Sequence, residues 1–446
     1  MDKAISISKP GSLKTWLDYL EGINPNKIEL GLSRVKTVFD RLSLDHIKHA
    51  KIVEVAGTNG KGSSAALIAA SLNLSGIKTG LYTSPHLHSF TERVNIGGVD
   101  VNEENLCKAF AIVHNAAKEV SLTYFEYTTL AAFVCFELEN VDALVLEIGL
   151  GGRLDAVNVL DADIALICSI GLDHTHILGN TIEKIAYEKA GIIKDHSYVV
   201  TGLISNEAKK VILQAAKEHQ SKVYFEGEAF IGNFEDGFTY TQKNKSNLES
   251  YVYPYPKVPY CVAPSVIRVL TLLRELGLKI TSSAVTQAIK TVSLPGRMQL
   301  VKVNPTIYLD VAHNPPAALN LVKTVAKRQK LAKRIAVIGM LKDKDIESVL
   351  SIVKDSFDEF YVASLHTERG ENCERLKKAL LACNIKEPLI KSFDNVDSAI
   401  NAVLKVAQRL DEIIVLGSFV TVSEAMDSLK KLDNKGIGKH GYNKEH

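Results

Sequence analysis

The residues able to do chemistry in this chain sit just after short apolar runs. The first set is Gly57-Thr58-Asn59-Gly60-Lys61-Gly62-Ser63, which joins the apolar run 53–56 to a small-residue segment over 64–73. Glycines let such a turn bend until its backbone N–H groups face phosphate oxygens. The helix N-terminus that follows adds positive potential, a lysine adds a mobile cation, and a hydroxyl reaches Mg²⁺. The pattern is a variant one. Gly62 stands where Ser or Thr usually follows the lysine, and Ser63 supplies the hydroxyl. The reading is a nucleotide phosphate loop between a strand and a helix, against the alternative of a structural turn.

Three more strand ends carry polar groups. The run 79–83 stops at Ser84-Pro85, which leaves Ser84 at a carboxyl end where ligands gather in open α/β sheets. Ser84 is either a Mg²⁺ ligand or part of a plain turn. The run 141–148 contains Glu147 and leads into Gly149-Leu150-Gly151-Gly152-Arg153-Leu154-Asp155. A buried carboxylate needs a partner, which here is a metal ion or an arginine such as Arg153. The run 163–170 closes on Gly171-Leu172-Asp173-His174, where His174 ligates metal, touches phosphate or is structural. Downstream, Asn180 with Glu183 reads as a capping box, Gly191 ends that helix, and Lys189 in its last turn is a cation at the negative helix end.

The elements that must position these groups follow from periodicity. Helical spacing covers 13–20 and 30–42, with Asn24-Pro25-Asn26 between them. Thr123-Tyr124-Phe125-Glu126 precedes an apolar helix over 130–138, as core aromatics or as a ligand-stacking cluster. Strands are expected at 198–201 and 223–226, irregular edge structure or a hairpin at 237–259, and a helix at 266–276. Ser293-Leu294-Pro295-Gly296-Arg297 breaks the pattern. Beyond it, strands (306–311, 334–339, 359–363, 412–417) alternate with helices (316–326, 346–354, 373–382, 396–408). The fold class expected is α/β: an N-terminal P-loop-type ATPase domain with a mainly parallel sheet (1–293), a hinge at 294–297, and a smaller Rossmann-like α/β domain (298–446). The second domain has no G-x-G-x-x-G after its first strand; that strand ends at Asp310, placed like a ribose-binding acid.

Composition sets the remaining bounds. With 446 residues, two domains are expected; 46% hydrophobic and 23% charged residues fit an ordinary soluble protein. A net charge of +2 gives no reason to expect nucleic acid or an acidic membrane surface as a partner. No apolar run is long enough to span a bilayer, and residues 1–10 lack a signal-peptide core. Six scattered cysteines without a C-x-x-C pair are expected as free thiols in a reducing cytoplasm.

Taken together, Gly57–Ser63, Ser84-Pro85-His86-Leu87, Leu146–Ala156, Leu172-Asp173-His174-Thr175, Glu188-Lys189-Ala190-Gly191, Leu294–Arg297 and Asp310–Pro315 occur in one order that resembles the folylpolyglutamate synthase family. The likeness is to its bacterial form, which also acts as a dihydrofolate synthase, within the Mur ligase superfamily; it runs from about residue 13 to 428. It implies that Gly57, Thr58, Asn59, Gly60, Lys61, Gly62 and Ser63 bind ATP phosphates, and that Arg297 and Asp310 contact the nucleotide. It implies Ser84, Glu147 and His174 as Mg²⁺ ligands for one or two ions, with a monovalent cation besides, and a carbamylated Lys189. Lys61, Lys189 and His174 form the implied catalytic set. Gly22, Ile23, Asn24, Pro25, Thr123, Tyr124, Phe125, Glu126, Leu154, Asp155 and Ala156 match pteroate-contacting stretches. His313 and Ser418 match residues near the incoming glutamate. The implied reaction joins L-glutamate to dihydropteroate and to reduced folates through an acyl phosphate, by a cytoplasmic monomer. One departure stands out: the family often carries Pro-Asn, its Asn touching adenine, where this chain has Pro264-Ser265. The alternatives are a monofunctional folylpolyglutamate synthase, another Mur-type amino-acid ligase, and a regulatory module that binds ATP without ligase chemistry.

Overall fold

The computed structural model describes residues 11–23, 29–235, 237–244 and 247–434. The chain divides into two compact units, which meet in sequence between Val292 and Ser293.

The first unit is built on eight strands: β1 (Lys51–Ala56), β2 (Thr79–Tyr82), β3 (Val94–Ile96), β4 (Val99–Asp100), β5 (Ala143–Glu147), β6 (Ile164–Ile167), β7 (Tyr198–Thr201) and β8 (Lys222–Phe225), in the spatial order β4-β3-β2-β5-β1-β6-β7-β8. From β2 to β8 every pairing is parallel; β3 and β4 continue the sheet antiparallel. The central strands are apolar along their whole length because helices cover both faces. One face carries α1 (Leu13–Gly22), α2 (Ser33–Leu42), α4 (Glu103–Ala117) and α5 (Tyr124–Leu138), packed through Trp16, Phe39, Phe110 and Phe133. Between these in sequence, α3 (Lys61–Leu74) lies on the opposite face. Its many Gly, Ser and Ala residues, with Leu67, Ile68 and Leu72 filling the gaps, let it lie between β5 and two further helices.

After β6 come the single turn α6 (Thr175–Leu178), α7 (Ile182–Ala190) and α8 (Asn206–Glu218). A three-stranded antiparallel sheet follows, β9 (Phe230–Asn233), β10 (Phe238–Asn244) and β11 (Asn247–Tyr253), so the region expected as edge structure or a hairpin contains a regular β10–β11 hairpin. Helices α9 (Ala263–Glu275) and α10 (Ser282–Thr291) then return to pack on α3.

The second unit has the order β12-β13-β17-β14-β15-β16, formed by β12 (Gln299–Val303), β13 (Thr306–Leu309), β14 (Arg334–Ile338), β15 (Glu359–Ala363), β16 (Ile390–Phe393) and β17 (Glu412–Leu416). All its pairings are parallel except that of β12 with β13. Its helices are α11 (Pro315–Ala326), α12 (Ile346–Val353), α13 (Cys373–Ala382), α14 (Val396–Val406) and α15 (Phe419–Asn434). The alternation expected from sequence is present, with two edge strands, β12 and β16, and a fifth helix, α15, added to it. Among the described residues all six cysteines are free thiols, and no helix is long and apolar enough to cross a membrane.

Candidate active site

Parallel pairing of β2, β5, β1 and β6 puts the four strand-end motifs side by side along one carboxyl edge. The phosphate loop leaves β1, Ser84 follows β2, Glu147 ends β5, and the segment to His174 follows β6. This is the edge where open α/β sheets bind ligands.

The loop is held in shape before anything binds. Thr58 N–H donates to Ser169 O at 2.9 Å, and the Thr58 hydroxyl donates to Gly171 O while accepting from Gly171 N–H, each at 3.0 Å. Ser169 Oγ accepts from Asn59 N–H and donates to Asn59 O, both at 2.9 Å. Gly60 has φ +88°, and a Cβ there would meet Val262 at 2.9 Å, so only glycine fits. Lys61 heads α3 and folds its Nζ back onto Gly57 O at 3.1 Å, a contact that a phosphate oxygen can replace.

The variant spelling of the loop has a physical reason. A Cβ on Gly62 would lie 3.3 Å from Glu147 Oε2, so the missing side chain makes room for that carboxylate against the first turn of α3. Glu147 is 5% exposed, and its Oε2 accepts the Ser84 N–H at 3.1 Å. The alternative of an ion pair between Glu147 and Arg153 gives way: Arg153 pairs with Glu188 at 2.9 Å and lies over the Tyr187 ring. His174 adopts a left-handed conformation, φ 49° and ψ 38°, at the start of α6, with its N–H donating to Asp173 Oδ1.

Lys189 is 3% exposed in the last turn of α7. Burial, reinforced by the nearby positive charge of Lys61, pulls its ammonium down to about 7, against a partial opposing pull from Asp173. It is therefore a largely desolvated amine rather than an ordinary cation at a helix end. The Gly151-Gly152-Arg153 turn docks on this helix end. A Cβ on Gly152 would meet Glu188 O at 2.8 Å, and one on Gly191 would stand 2.3 Å from Arg153 Cβ. Asn158 ties the same contact together by donating to Arg153 O and Gly191 O. Gly191 does end the helix, but the cap at its start is Thr181, whose hydroxyl accepts from Lys184 N–H. The Asn180 capping box is thus corrected by one residue, because the chain leaves α6 through Gly179 at φ +95° and Asn180 still belongs to that turn.

The stretches matched to pteroate contacts are placed as follows. Thr123 and Glu126 form a capping box that starts α5 six residues earlier than the apolar run suggested. Glu126 also takes two bonds from Arg34, at 2.8 and 3.3 Å. Phe125 lies against Gly149, where a Cβ would be 2.5 Å from its ring. Arg93 stands over the Tyr124 and Phe90 rings and donates from Nε to His86. Asp155 accepts from Leu150 and Val157 N–H and caps the short helix that begins at Ala156, after Leu154. Burial raises its carboxyl to about 6 against those backbone bonds. Gly22 ends α1 and Ile23 follows it; Asn24 and Pro25 lie outside the described residues.

Within the second unit, Asp310 accepts from Met298 and Ala312 N–H, at 2.9 and 2.8 Å, and so pins the 296–298 turn to the end of β13. Burial raises its carboxyl, and the Arg297 charge partly offsets that. Arg297 lies over the Phe419 ring. His313 donates from Nδ1 to Val311 O at 2.7 Å. Ser418, 1% exposed, accepts the Thr421 N–H at the start of α15. Ser265, in the first turn of α9, donates its hydroxyl to Val262 O and is 1% exposed.

Sequence reasoning missed Ser169, which fastens the loop, and Asn158, which locks the lysine-bearing helix end. Neither has a local signal: each acts on a segment 33 to 110 residues away.

Comparison with known proteins places the chain in a family. Residues 55–257 match the Mur ligase middle domain, and residues 296–419 match the Mur ligase glutamate ligase domain. A dihydrofolate synthase/folylpolyglutamate synthase of Escherichia coli is 39% identical over 416 residues, covering 93% of this chain and 95% of the relative. The structure of E. coli FolC in complex with DHPP and ADP superimposes with a TM-score of 0.88 at 37% identity, covering 95% of this chain and 99% of that one. A bifunctional folylpolyglutamate synthase/dihydrofolate synthase with Mn, AMPPNP and L-glutamate bound gives 0.85 at 38% identity, over 94% and 98%. With both Mur ligase domains in place and relatives of this identity over nearly its whole length, the chain belongs to the dihydrofolate synthase/folylpolyglutamate synthase family of Mur ligases.

Proposed function

We propose that this chain is an ATP-dependent carboxylate–amine ligase that joins L-glutamate to dihydropteroate and to reduced folates. The observation that carries the reading is the Glu147 carboxylate held against the phosphate-loop helix in the space left by Gly62. Relatives described with ADP, AMPPNP, Mn, DHPP and L-glutamate support the choice of substrates.

Glu147, Ser84 and His174 would hold Mg²⁺. No group of three His, Cys, Asp or Glu side chains forms a self-sufficient metal site among the described residues, and a Mg²⁺ site completed by phosphate oxygens and water needs none. When bound, the ion neutralises charge on the transferring phosphoryl group.

The loop N–H groups and Lys61 bind the phosphates, with Lys61 exchanging Gly57 O for a phosphate oxygen. The substrate carboxylate attacks the γ-phosphorus in line and ADP leaves, giving an acyl phosphate. The L-glutamate amine then attacks that carbonyl, inorganic phosphate departs, and the amine proton is released. A carboxylate cannot expel oxide, so phosphorylation is what makes the amide accessible. The protein contributes positioning and charge stabilisation.

Lys189, desolvated and about half deprotonated at pH 7, reacts through its neutral amine with CO₂ to give a carbamate and a proton, which replaces an amine with an anion beside the proposed metal ligands. Phe125, Tyr124, Leu154, Asp155 and Ala156 form the pteroate side of this site. Arg297 and Asp310 serve the nucleotide, and His313 and Ser418 the incoming glutamate. The protein acts as a cytoplasmic monomer on soluble substrates; its near-zero net charge supports the absence of nucleic-acid or membrane partners.

The test is glutamate-dependent ADP release with dihydropteroate and tetrahydrofolate offered separately. Release with both is the expected result. Release with tetrahydrofolate alone reduces the activity to polyglutamylation, and release with neither overturns the proposal.

A further inference from the structure

Beyond the phosphate loop, the carboxyl edge of the sheet continues past β6 to β7 and β8, and it ends in an ionisable group that the reaction has not used. Glu226 follows β8 directly, its N–H donating to Thr201 O at 3.2 Å. Its Oε2 is buried with no hydrogen-bond partner. The carboxyl lies on the face of the sheet covered by α9. A Cβ on Gly202 would be 3.7 Å from Oε2, and on that same face Tyr224 of β8 is stacked under Arg268 of α9.

This spot is continuous with the phosphate loop. The Gly202 Cβ position is also 2.2 Å from Cys168 O, and Cys168 Cβ lies 3.1 and 3.5 Å from the Cβ positions of Gly57 and Gly60. Gly60 in turn touches Val262, at the head of α9. Gly60, Cys168, Gly202 and Glu226 therefore run in one line along the edge, with the α9 N-terminus alongside. Phosphates seated on the loop place the rest of a nucleotide on one side of it or the other. On the β2 and β5 side the edge is taken up by Ser84 and Glu147. On the β6 to β8 side it presents small residues and then Glu226. Ser265, the polar residue in the first turn of α9, spends its hydroxyl on Val262 O.

We propose that Glu226 reads the purine base of the nucleotide, its carboxyl pairing with the 6-amino group and an adjacent ring nitrogen of adenine. The inference rests on the ATP-dependent reading above and assigns a specificity-determining residue to it. A carboxylic acid has an acceptor and a donor side by side, which complements an amino group next to a ring nitrogen. Burial raises this carboxyl to about 8, so it carries its proton at neutral pH. A buried polar atom left without a partner in the protein is accounted for if the ligand supplies one.

The experiment compares ATP with purine riboside triphosphate, which lacks only the 6-amino group, in wild type, Glu226→Gln and Glu226→Ala. Carboxylate-dependent nucleotide hydrolysis is read as separate kcat and KM values, alongside nucleotide binding by calorimetry. One neutral hydrogen bond corresponds to roughly a tenfold preference for ATP in wild type. Glu226→Gln keeps a donor and an acceptor and is expected to hold that preference within about threefold. Glu226→Ala loses both bonds to ATP and the ring-nitrogen bond to the analogue, so KM is expected to rise about a hundredfold for ATP and about tenfold for the analogue with kcat nearly unchanged, and the preference disappears. An Ala variant that still prefers ATP over the analogue as wild type does overturns the assignment. If hydrolysis is absent in wild type while ATP binds, the ligase reading fails but the calorimetric preference still decides on Glu226. Thermal melts of the free variants separate misfolding from lost recognition.

Discussion

Replacing Lys189 by methionine should make the protein more stable and inactive at once. Lys189 is 3% exposed, and burial together with Lys61 holds its amine near 7, against 10.5 for an exposed lysine. The two values are about 3.5 pH units apart, which at 1.36 kcal/mol per unit is a penalty of about 5 kcal/mol when fully developed. The sign follows from proton counting. Between the two values the unfolded chain holds the proton and the folded chain does not, so stability rises with pH. The penalty is absent above about 10.5, grows as pH falls, and is complete below about 7. It is about 4 kcal/mol at pH 7 and about 2 kcal/mol at pH 9. Methionine fills a similar volume without the charge. Urea unfolding in CO₂-free buffer should therefore show Lys189→Met more stable than wild type, with a gap that narrows by about half from pH 7 to pH 9. Bicarbonate should move only the wild type. A gap that does not change with pH, or a methionine variant less stable at pH 7, would refute the picture of a desolvated amine.

Other perturbations test other contacts. Lys61→Ala should abolish ADP formation while leaving the thermal melt close to wild type, since the lost bond is a single one to Gly57 O; near-normal turnover would remove the phosphate-loop assignment. Gly191→Ala forces a methyl group to 2.3 Å from Arg153 Cβ, and should cost roughly 2–3 kcal/mol in denaturant unfolding and most of the activity. An unchanged midpoint and turnover would show that the docked turn is not needed. Glu54, on β1, is 0% exposed with neither carboxyl oxygen hydrogen-bonded, and burial holds it protonated well above the usual carboxylate range. Its penalty is absent below the unfolded value near 4.5 and grows as pH rises. Glu54→Leu should stabilise the first unit by roughly 1–3 kcal/mol at pH 7, read by urea unfolding, with a smaller gain at pH 4.

The strand-end residues were legible because each lies in a strand-to-turn segment whose pattern is local. Glu147 could be found from the apolar run before it; that its carboxylate fills the space at Gly62 could not, because those residues meet only once β5 pairs with β1. That Arg153 pairs with Glu188 rather than with Glu147 was likewise hidden, because Glu188 lies 35 residues from Arg153. The early start of α5 hid behind aromatic residues that look like core, although Thr123 and Glu126 carry a capping-box spacing. Strands β12 and β16 lie at sheet edges and are only partly buried, so their sequences lack the continuous apolar run of β14 or β17. Helix α10 went unseen because it buries only a narrow apolar stripe, Ala284, Val285, Ala288 and Ile289.

The bonds that fasten Thr58 and Asn59 to Ser169 and Gly171 have a consequence for how ligands communicate. The phosphate loop and the segment leading to His174 share one hydrogen-bonded frame, so a displacement of either is felt by the other. On the proposed assignment of His174 to the metal, any coupling carried by this frame is reciprocal: if nucleotide raises the affinity for the metal by some factor, the metal raises the affinity for nucleotide by the same factor. Order of addition becomes a property of concentrations rather than of the site, and weak binding of either ligand alone is compatible with tight binding of the pair.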